Sequence, residues 1–120
     1  MNTSRKGWRK ELECRKLLQA EGWNIIFKSI RTRWFTVDFA HLFDTVAVHL
    51  NIDGKPEWAF ISNKHFQGFY PQHQQQIKDF KNLYGFENAM FQLWLWHIPK
   101  WVGRSTNKRW QEAKWEIISI

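Results

Sequence analysis

Three charged residues stand in segments of the sequence where apolar residues would be expected. Glu11 falls on the apolar side of an amphipathic segment, where a carboxylate costs free energy unless something compensates for it. Asp44 interrupts a second apolar run, although aspartate is depleted in strands, and Lys64 ends a third run. Each of the three also has an ordinary structural explanation. Glu11 could form an ion pair with Arg15, four residues later on the same side of the helix. Asp44 could cap an edge, and Lys64 could extend into solvent.

Together the three residues have the chemistry needed to hydrolyse a phosphodiester with the help of a metal ion. Carboxylate oxygens are the ligands that Mg²⁺ prefers in proteins. A metal held by Glu11 and Asp44 would polarise a phosphate and lower the pKa of a bound water. The Lys64 amine would orient that water or offset negative charge in the transition state. The sequence therefore predicts a divalent metal site built from one helix and two paired strands.

Hydrophobic periodicity and turn signals predict the elements that position these residues. Residues 4–20 predict an amphipathic helix. Residues 43–50 and 58–64 predict two strands, and the Asp53-Gly54 turn between them predicts an antiparallel hairpin. A further strand, a helix and two last strands are predicted at 23–27, 74–84, 89–98 and 114–120. This order predicts an α/β fold with a central mixed β-sheet flanked by helices, in a single domain over residues 1–120.

The charge balance favours a polyanionic partner. Lys and Arg number 18 against 11 Asp and Glu, which gives 18 − 11 = +7. Nucleic acid is the first expectation for such a small basic domain, and a merely soluble basic protein is the alternative. The single cysteine, Cys14, excludes an internal disulfide framework and a cysteine-based zinc site. The five histidines lack metal-ligand spacing, so we expect them to be structural or to contact phosphates.

The order of several short motifs resembles that of the PD-(D/E)XK nuclease superfamily. The motifs are Lys6-Gly7-x-x-x-Glu11, Leu17-Leu18-x-x-x-Gly22-Trp23, Lys28-Ser29, Phe43-Asp44-Thr45-Val46-Ala47 and Ile61-Ser62-Asn63-Lys64. Within the superfamily, the chain is most similar to the Holliday-junction resolvases of archaea and their phage-borne relatives, over most of its length. The resemblance implies a restriction-endonuclease-like fold. It also implies a homodimeric, Mg²⁺-dependent endonuclease, with Mn²⁺ as a substitute, that makes paired cuts in four-way DNA junctions.

The resemblance also assigns roles to individual residues. Glu11 matches the carboxylate on the first helix, Asp44 the strand aspartate and Lys64 the lysine of the E-x-K element. Lys28 and Ser29 match a basic-serine element near the site. No apolar run is long enough to span a bilayer and no secretory pattern is visible. We therefore expect a cytoplasmic protein of a prokaryote or a phage-infected host cell, acting in DNA recombination and repair.

The chain departs from the family pattern at Ser62, where the family has glutamate or, in some members, glutamine. Ser62 could itself ligate the metal, with the Asn63 carbonyl beside it. A nearby carboxylate, Asp38 or Glu57, could replace the missing ligand, or the protein could be a catalytically impaired relative. Asp38 also competes with Asp44 for the strand position. We favour Asp44, because a single hairpin joins it to the strand that ends in Lys64.

Two basic stretches, residues 28–36 and 99–108, are expected to contact DNA. Phosphate contacts of this kind fix the position of a duplex without reading its sequence. Trp34 and Trp101 lie beside basic residues and could stack on an unpaired base or pack under their own loops. The expected DNA-binding residues are Lys6, Lys28, Ser29, Arg31, Arg33, Trp34, Lys100, Arg104 and Lys108.

Two other functions fit the same sequence. A nuclease of the same superfamily could act on flaps or duplex DNA instead of junctions. A DNA-binding relative without catalytic activity is the other alternative, and the neutral Ser62 is its main support. A cleavage assay with several DNA structures distinguishes these possibilities.

Overall fold

The chain folds into two helices and a mixed sheet with two short accessory ribbons. The computed structural model describes residues 3–31 and 36–120, with the side chains of residues 3–8, 31, 36 and 37 outside that description. The helices are α1, Thr3–Ala20, and α2, Pro71–Tyr84. The strands are β1 Asn24–Lys28, β2 Ile30–Arg31, β3 Thr36–Val37, β4 Thr45–Leu50, β5 Pro56–His65, β6 Ala89–His97, β7 Lys100–Val102, β8 Arg109–Gln111 and β9 Lys114–Ser119.

Five strands form the main sheet in the order β1-β4-β5-β6-β9. β4 pairs antiparallel with β1 and β5, whereas β5 and β6 are parallel and β9 returns antiparallel to β6. The parallel pair follows from the connection, because α2 lies between β5 and β6 and carries the chain back across the sheet. The prediction of an α/β fold around a mixed sheet is confirmed.

The two helices cover opposite faces of this sheet. Along β5, Ala59 and Ile61 pack with Cys14 and Leu18 of α1, whereas Phe60 packs in a second cluster with Ile77 of α2. Alternate residues of a strand point to opposite faces, so β5 separates the two helices. At the end of β5, Asn63 therefore lies on the α1 side, and Ser62 and Lys64 lie on the α2 side.

The basic stretches 28–36 and 99–108, predicted as loops, contain strands. β2 pairs with β3, and β7 pairs with β8 as a separate two-stranded ribbon. In the second case the strands carry Trp101 and Trp110, whose aromatic side chains favour extended backbone and pair across the ribbon. The loop prediction was based on the positive charges of the two stretches and did not take account of the strand-forming residues between those charges.

Neither described helix is long and apolar enough to cross a membrane.

Candidate active site

Asp44 is fixed at the point where β1, β4 and β5 meet. It directly precedes β4, and its backbone N–H donates a hydrogen bond to the Ile61 carbonyl of β5 at 2.9 Å. Its own carbonyl accepts from the backbone N–H of Ser29, just after β1, at 2.8 Å. These bonds continue the sheet beyond the end of β4, and the Asp44 side chain therefore has a defined place among three strands.

Glu11 of α1 and Asp44 are brought together, as the sequence predicts. Glu11 is 2% exposed and Asp44 is 7% exposed. Burial raises the pKa of Asp44 to about 7, and the negative charge of Glu11 and the hydrogen bond that the protonated Asp44 carboxyl donates to Glu11 raise the pKa as well. A hydrogen bond between two carboxyl groups needs a proton between them. The pair is therefore set to take up a proton or a cation near neutral pH.

A third carboxylate, Asp38, joins this pair through Ser29. The Ser29 hydroxyl donates to Asp38 Oδ1 at 2.5 Å and lies 3.3 Å from Asp44 Oδ1. Ala40 and His41 have φ of 53° and 60°, a left-handed conformation that is unfavourable for residues with a side chain and that turns the chain back after Asp38. Asp38 and Asp44 thus belong to one cluster, so they are not exclusive candidates for a single role.

Asn63 contacts the carboxylates through its backbone and faces α1 with its side chain. Its backbone N–H donates to Asp44 Oδ2 at 2.6 Å. Its side-chain amide is close enough to Cys14 to lower the pKa of that thiol, although burial dominates and raises it to about 12. The oxygen of the amide is buried without a hydrogen-bond partner in the described part of the chain. An unsatisfied amide oxygen beside two carboxylates is an available ligand for a cation.

Ser62 lies on the other face of β5, against α2. It is 1% exposed, and its Oγ is 2.8 Å from Nε2 of His73. Burial lowers the pKa of His73, and the positive charge of Lys64 lowers it further. The Ser62 hydroxyl and the His73 ring share this hydrogen bond, and the tautomer of the neutral ring sets which of the two donates. Sequence reasoning missed this contact, because nothing in the local pattern around His73 indicates that α2 places it over β5.

Lys64 is exposed near the end of β5, on the α2 side of the sheet. Its amine lies 6.0 Å from the centre of the Tyr70 ring. The charges of both Lys64 and Asp38 act on His73, so both lie near the imidazole. Lys64 also directly follows Asn63, whose backbone N–H is bound by Asp44. The structure therefore brings Glu11 and Asp44 together, whereas the Lys64 amine lies on the opposite, α2 side of the sheet, next to Tyr70 and His73.

Of the expected DNA contacts, Lys28, Lys100, Arg104 and Lys108 are exposed. Ser29 is buried, with its hydroxyl bound to Asp38 inside the carboxylate cluster. The other four expected contacts lie outside the described part of the chain. For Lys6 and Arg31 this concerns the side chains, and for Arg33 and Trp34 the whole residues.

Glu57 is remote from the cluster. It is the second residue of β5, next to the hairpin turn, and its carboxylate is 2.8 Å from His49 Nε2. Five residues of extended strand separate it from Ser62, which corresponds to about 17 Å. Of the two carboxylates considered as replacements for the missing glutamate, the structure brings only Asp38 to the site.

The donor set fits a hard divalent cation held by few protein ligands. Within residues 3–31 and 36–120, no group of three or more His, Cys, Asp or Glu side chains is arranged to hold a metal ion. Mg²⁺, however, is commonly bound through one or two carboxylates and keeps its other positions for water and substrate phosphates. Glu11 and Asp44, with the unsatisfied oxygen of Asn63 beside them, provide that kind of partial shell.

Comparisons with known proteins do not assign a family. No protein-family model, no curated protein and no solved structure matches the chain.

Proposed function

We propose that this protein is a Mg²⁺-dependent DNA endonuclease of the PD-(D/E)XK type that cuts four-way junctions as a homodimer. The observation that carries the proposal is the buried pair of Glu11, on α1, and Asp44, directly before β4, next to β5, the strand that carries Lys64. These are the residues that the motif order assigns. The mixed sheet flanked by helices is compatible with the restriction-endonuclease-like fold that the resemblance implies.

The residues of the chain have distinct roles in this reaction. Glu11 and Asp44 would hold Mg²⁺, with the Asn63 side chain as a neutral ligand. The bound ion supplies positive charge to the scissile phosphate and a more acidic water. The hydroxyl of Ser29 and the backbone N–H of Asn63 keep Asp44 in one orientation. Lys64, exposed near the end of β5, would donate hydrogen bonds to the phosphate and offset the charge that develops in the transition state.

Paired cutting would follow from symmetry. A two-fold homodimer carries two copies of the site on opposed strands of a branched substrate. The exposed lysines and arginines attract the phosphate backbone, and the affinity should fall with increasing salt by about 0.9 log units per log unit of salt for each duplex phosphate contacted.

A cleavage panel tests the proposal. A four-way junction, a flap, a linear duplex and a single strand that share one labelled strand are incubated with the protein in Mg²⁺, in Mn²⁺ and in EDTA. We expect paired symmetric cuts in the junction, metal dependence and little cutting of the other three. Preference for the flap or the duplex would support the related nuclease instead. Absence of cutting in both metals, despite binding, would contradict the nuclease.

Metal binding should depend on the ionisation of Asp44. Its pKa is raised to about 7, so protons compete with Mg²⁺ below that pH and the affinity should rise about tenfold per pH unit up to neutrality. The measurement is the increase in melting temperature caused by Mg²⁺ at about pH 5.5, 6.5 and 8. Asp53→Asn, on the exposed hairpin turn, is the matched control and should behave as the wild type. An equal Mg²⁺ effect at all three pH values would contradict the assignment.

The hydrogen bond between Ser62 and His73 favours a second candidate, a DNA-binding relative with impaired catalysis. In that case Ser62→Glu should restore the missing carboxylate and increase junction cleavage at least about tenfold, whereas Ser62→Leu, which adds bulk but no oxygen ligand, should not. If Asp38 already fulfils this role, Ser62→Glu should change the rate little and Asp38→Asn should abolish cutting. Circular dichroism checks that each variant is folded, since position 62 is buried.

A further inference from the structure

The ribbon formed by β7 and β8 carries two tryptophans side by side. Trp101 and Trp110 are directly opposite each other in the antiparallel register. Directly opposite residues share one face of a ribbon, and the two rings meet edge to face with their centres 5.4 Å apart. We call residues 100–111 the tryptophan hairpin. Its turn is closed by a hydrogen bond from the Asn107 N–H to the Arg104 carbonyl at 2.8 Å.

These two rings are exposed, unlike the tryptophans of the core. Trp101 is 63% exposed and Trp110 is 46% exposed, whereas Trp23 and Trp94 are 8% and 6% exposed. Leaving large aromatic surface in water forgoes hydrophobic stabilisation, and adjacent exposed rings mark a binding surface. We therefore expect Trp101 and Trp110 to contact a binding partner, since their exposed rings contribute little to the stability of the fold.

The charges around the pair indicate the kind of partner. Residues 98–111 contain no Asp or Glu, and their four basic residues are Lys100, Arg104, Lys108 and Arg109. All four side chains are exposed. A second copy of the same hairpin would bring four positive charges against four others, which opposes self-association at this surface. A polyanion that also offers flat apolar rings satisfies both features.

We propose that the tryptophan hairpin binds unpaired nucleotides of DNA. Bases stack on Trp101 and Trp110, while the surrounding lysines and arginines contact the flanking phosphates. In a duplex the faces of the bases are covered by their neighbours, so the rings distinguish single strands and opened branch points from paired DNA. This binding site rests on the proposed function only in that the nucleic acid is DNA. The tryptophan hairpin would be the surface that receives the unpaired part of a branched substrate.

The test compares binding of an oligothymidine of about 20 nucleotides and of a duplex of equal length, by fluorescence anisotropy in EDTA. Replacing both rings, Trp101→Ala with Trp110→Ala, should weaken oligothymidine binding by about tenfold or more and duplex binding by no more than about twofold. Changing both to phenylalanine should preserve most of the affinity, since the rings can still stack. Arg104→Ala should lower the salt dependence of single-strand binding by about 0.7.

Ile52→Ala is the matched control, because Ile52 is fully exposed on a different turn and its loss should leave both affinities unchanged. Unchanged oligothymidine binding in the double alanine variant would overturn the inference. An equal loss of duplex affinity in the same variant would also overturn it. So would a wild-type dimer, measured by light scattering without DNA, that the double alanine variant no longer forms, because the rings would then serve a protein interface. The test measures DNA binding without metal. If the protein does not cleave DNA, this inference is unaffected, and if the tryptophan hairpin does not bind single strands, the proposed nuclease activity is unaffected.

Discussion

Replacing Asp44 with asparagine is expected to lower junction cleavage at least about a thousandfold and to make the folded protein more stable at about pH 8. Cleavage falls because one of two carboxylates is lost from the proposed metal site, and stabilisation of transition-state charge is commonly the largest contribution to catalysis. The fold should tolerate the change. The amide oxygen of asparagine can still accept from the Asn63 N–H, and its NH₂ group can donate to Ser29.

The gain in stability follows from the raised pKa of Asp44. Burial and the charge of Glu11 raise it from 3.8 to about 7, so the folded state binds this proton more tightly than the unfolded state. The free energy of unfolding therefore falls as pH rises from about 4 to about 7, and the whole penalty remains above pH 7. Three pKa units correspond to about 4 kcal/mol, and relaxation of the site should reduce this to about 2 kcal/mol.

Thermal unfolding without metal at about pH 5, 6, 7 and 8 measures this effect. A gain of about 2 kcal/mol corresponds to a rise of about 8 °C in melting temperature for a chain of this size. The gain should shrink towards pH 5, where the wild-type carboxyl is protonated in the folded state. Asp53→Asn should show no gain. Cleavage by Asp44→Asn within about tenfold of the wild type would contradict the assignment of the metal site.

The parts of the fold that the sequence predicted are those specified by local patterns. The helix at 4–20 follows from an apolar stripe, and its observed bounds are Thr3–Ala20. The β4–β5 hairpin follows from the Asp53-Gly54 turn, where Gly54 has a φ of 75° and Asn51 Oδ1 accepts two backbone N–H groups. Turn chemistry and periodicity act over a few residues, so a single sequence contains them.

The parts of the site that the sequence left open, as for Asp38, or missed, as for His73, depend on contacts between distant elements. Asp38 reaches Asp44 because Ala40 and His41 adopt left-handed backbone conformations. Neither residue is a glycine, so no local pattern predicts this turn. His73 reaches Ser62 because of how α2 docks across the sheet. A pattern of residue types can place a carboxylate on a strand, but the choice between neighbouring carboxylates is made by packing.

Replacing Lys64 with alanine is expected to lower the cleavage rate by about 100-fold or more and to change junction affinity by less than about threefold. A single exposed amine adds little to a surface with many cations, whereas a donor positioned at the scissile phosphate acts on the transition state. Lys55→Ala, an exposed lysine on the β4–β5 turn, is the matched control and should alter neither quantity.

The same variant has a readout that does not depend on activity. The charge of Lys64 lowers the pKa of His73, second only to burial, so Lys64→Ala should raise that pKa towards its ordinary value of 6.5. Titration of the His73 ring signals by NMR measures the shift, and Lys64→Arg should largely prevent it because the positive charge is kept. A loss of junction affinity as large as the loss of rate would make Lys64 a DNA-binding residue, and an unchanged His73 pKa would place its amine away from the site.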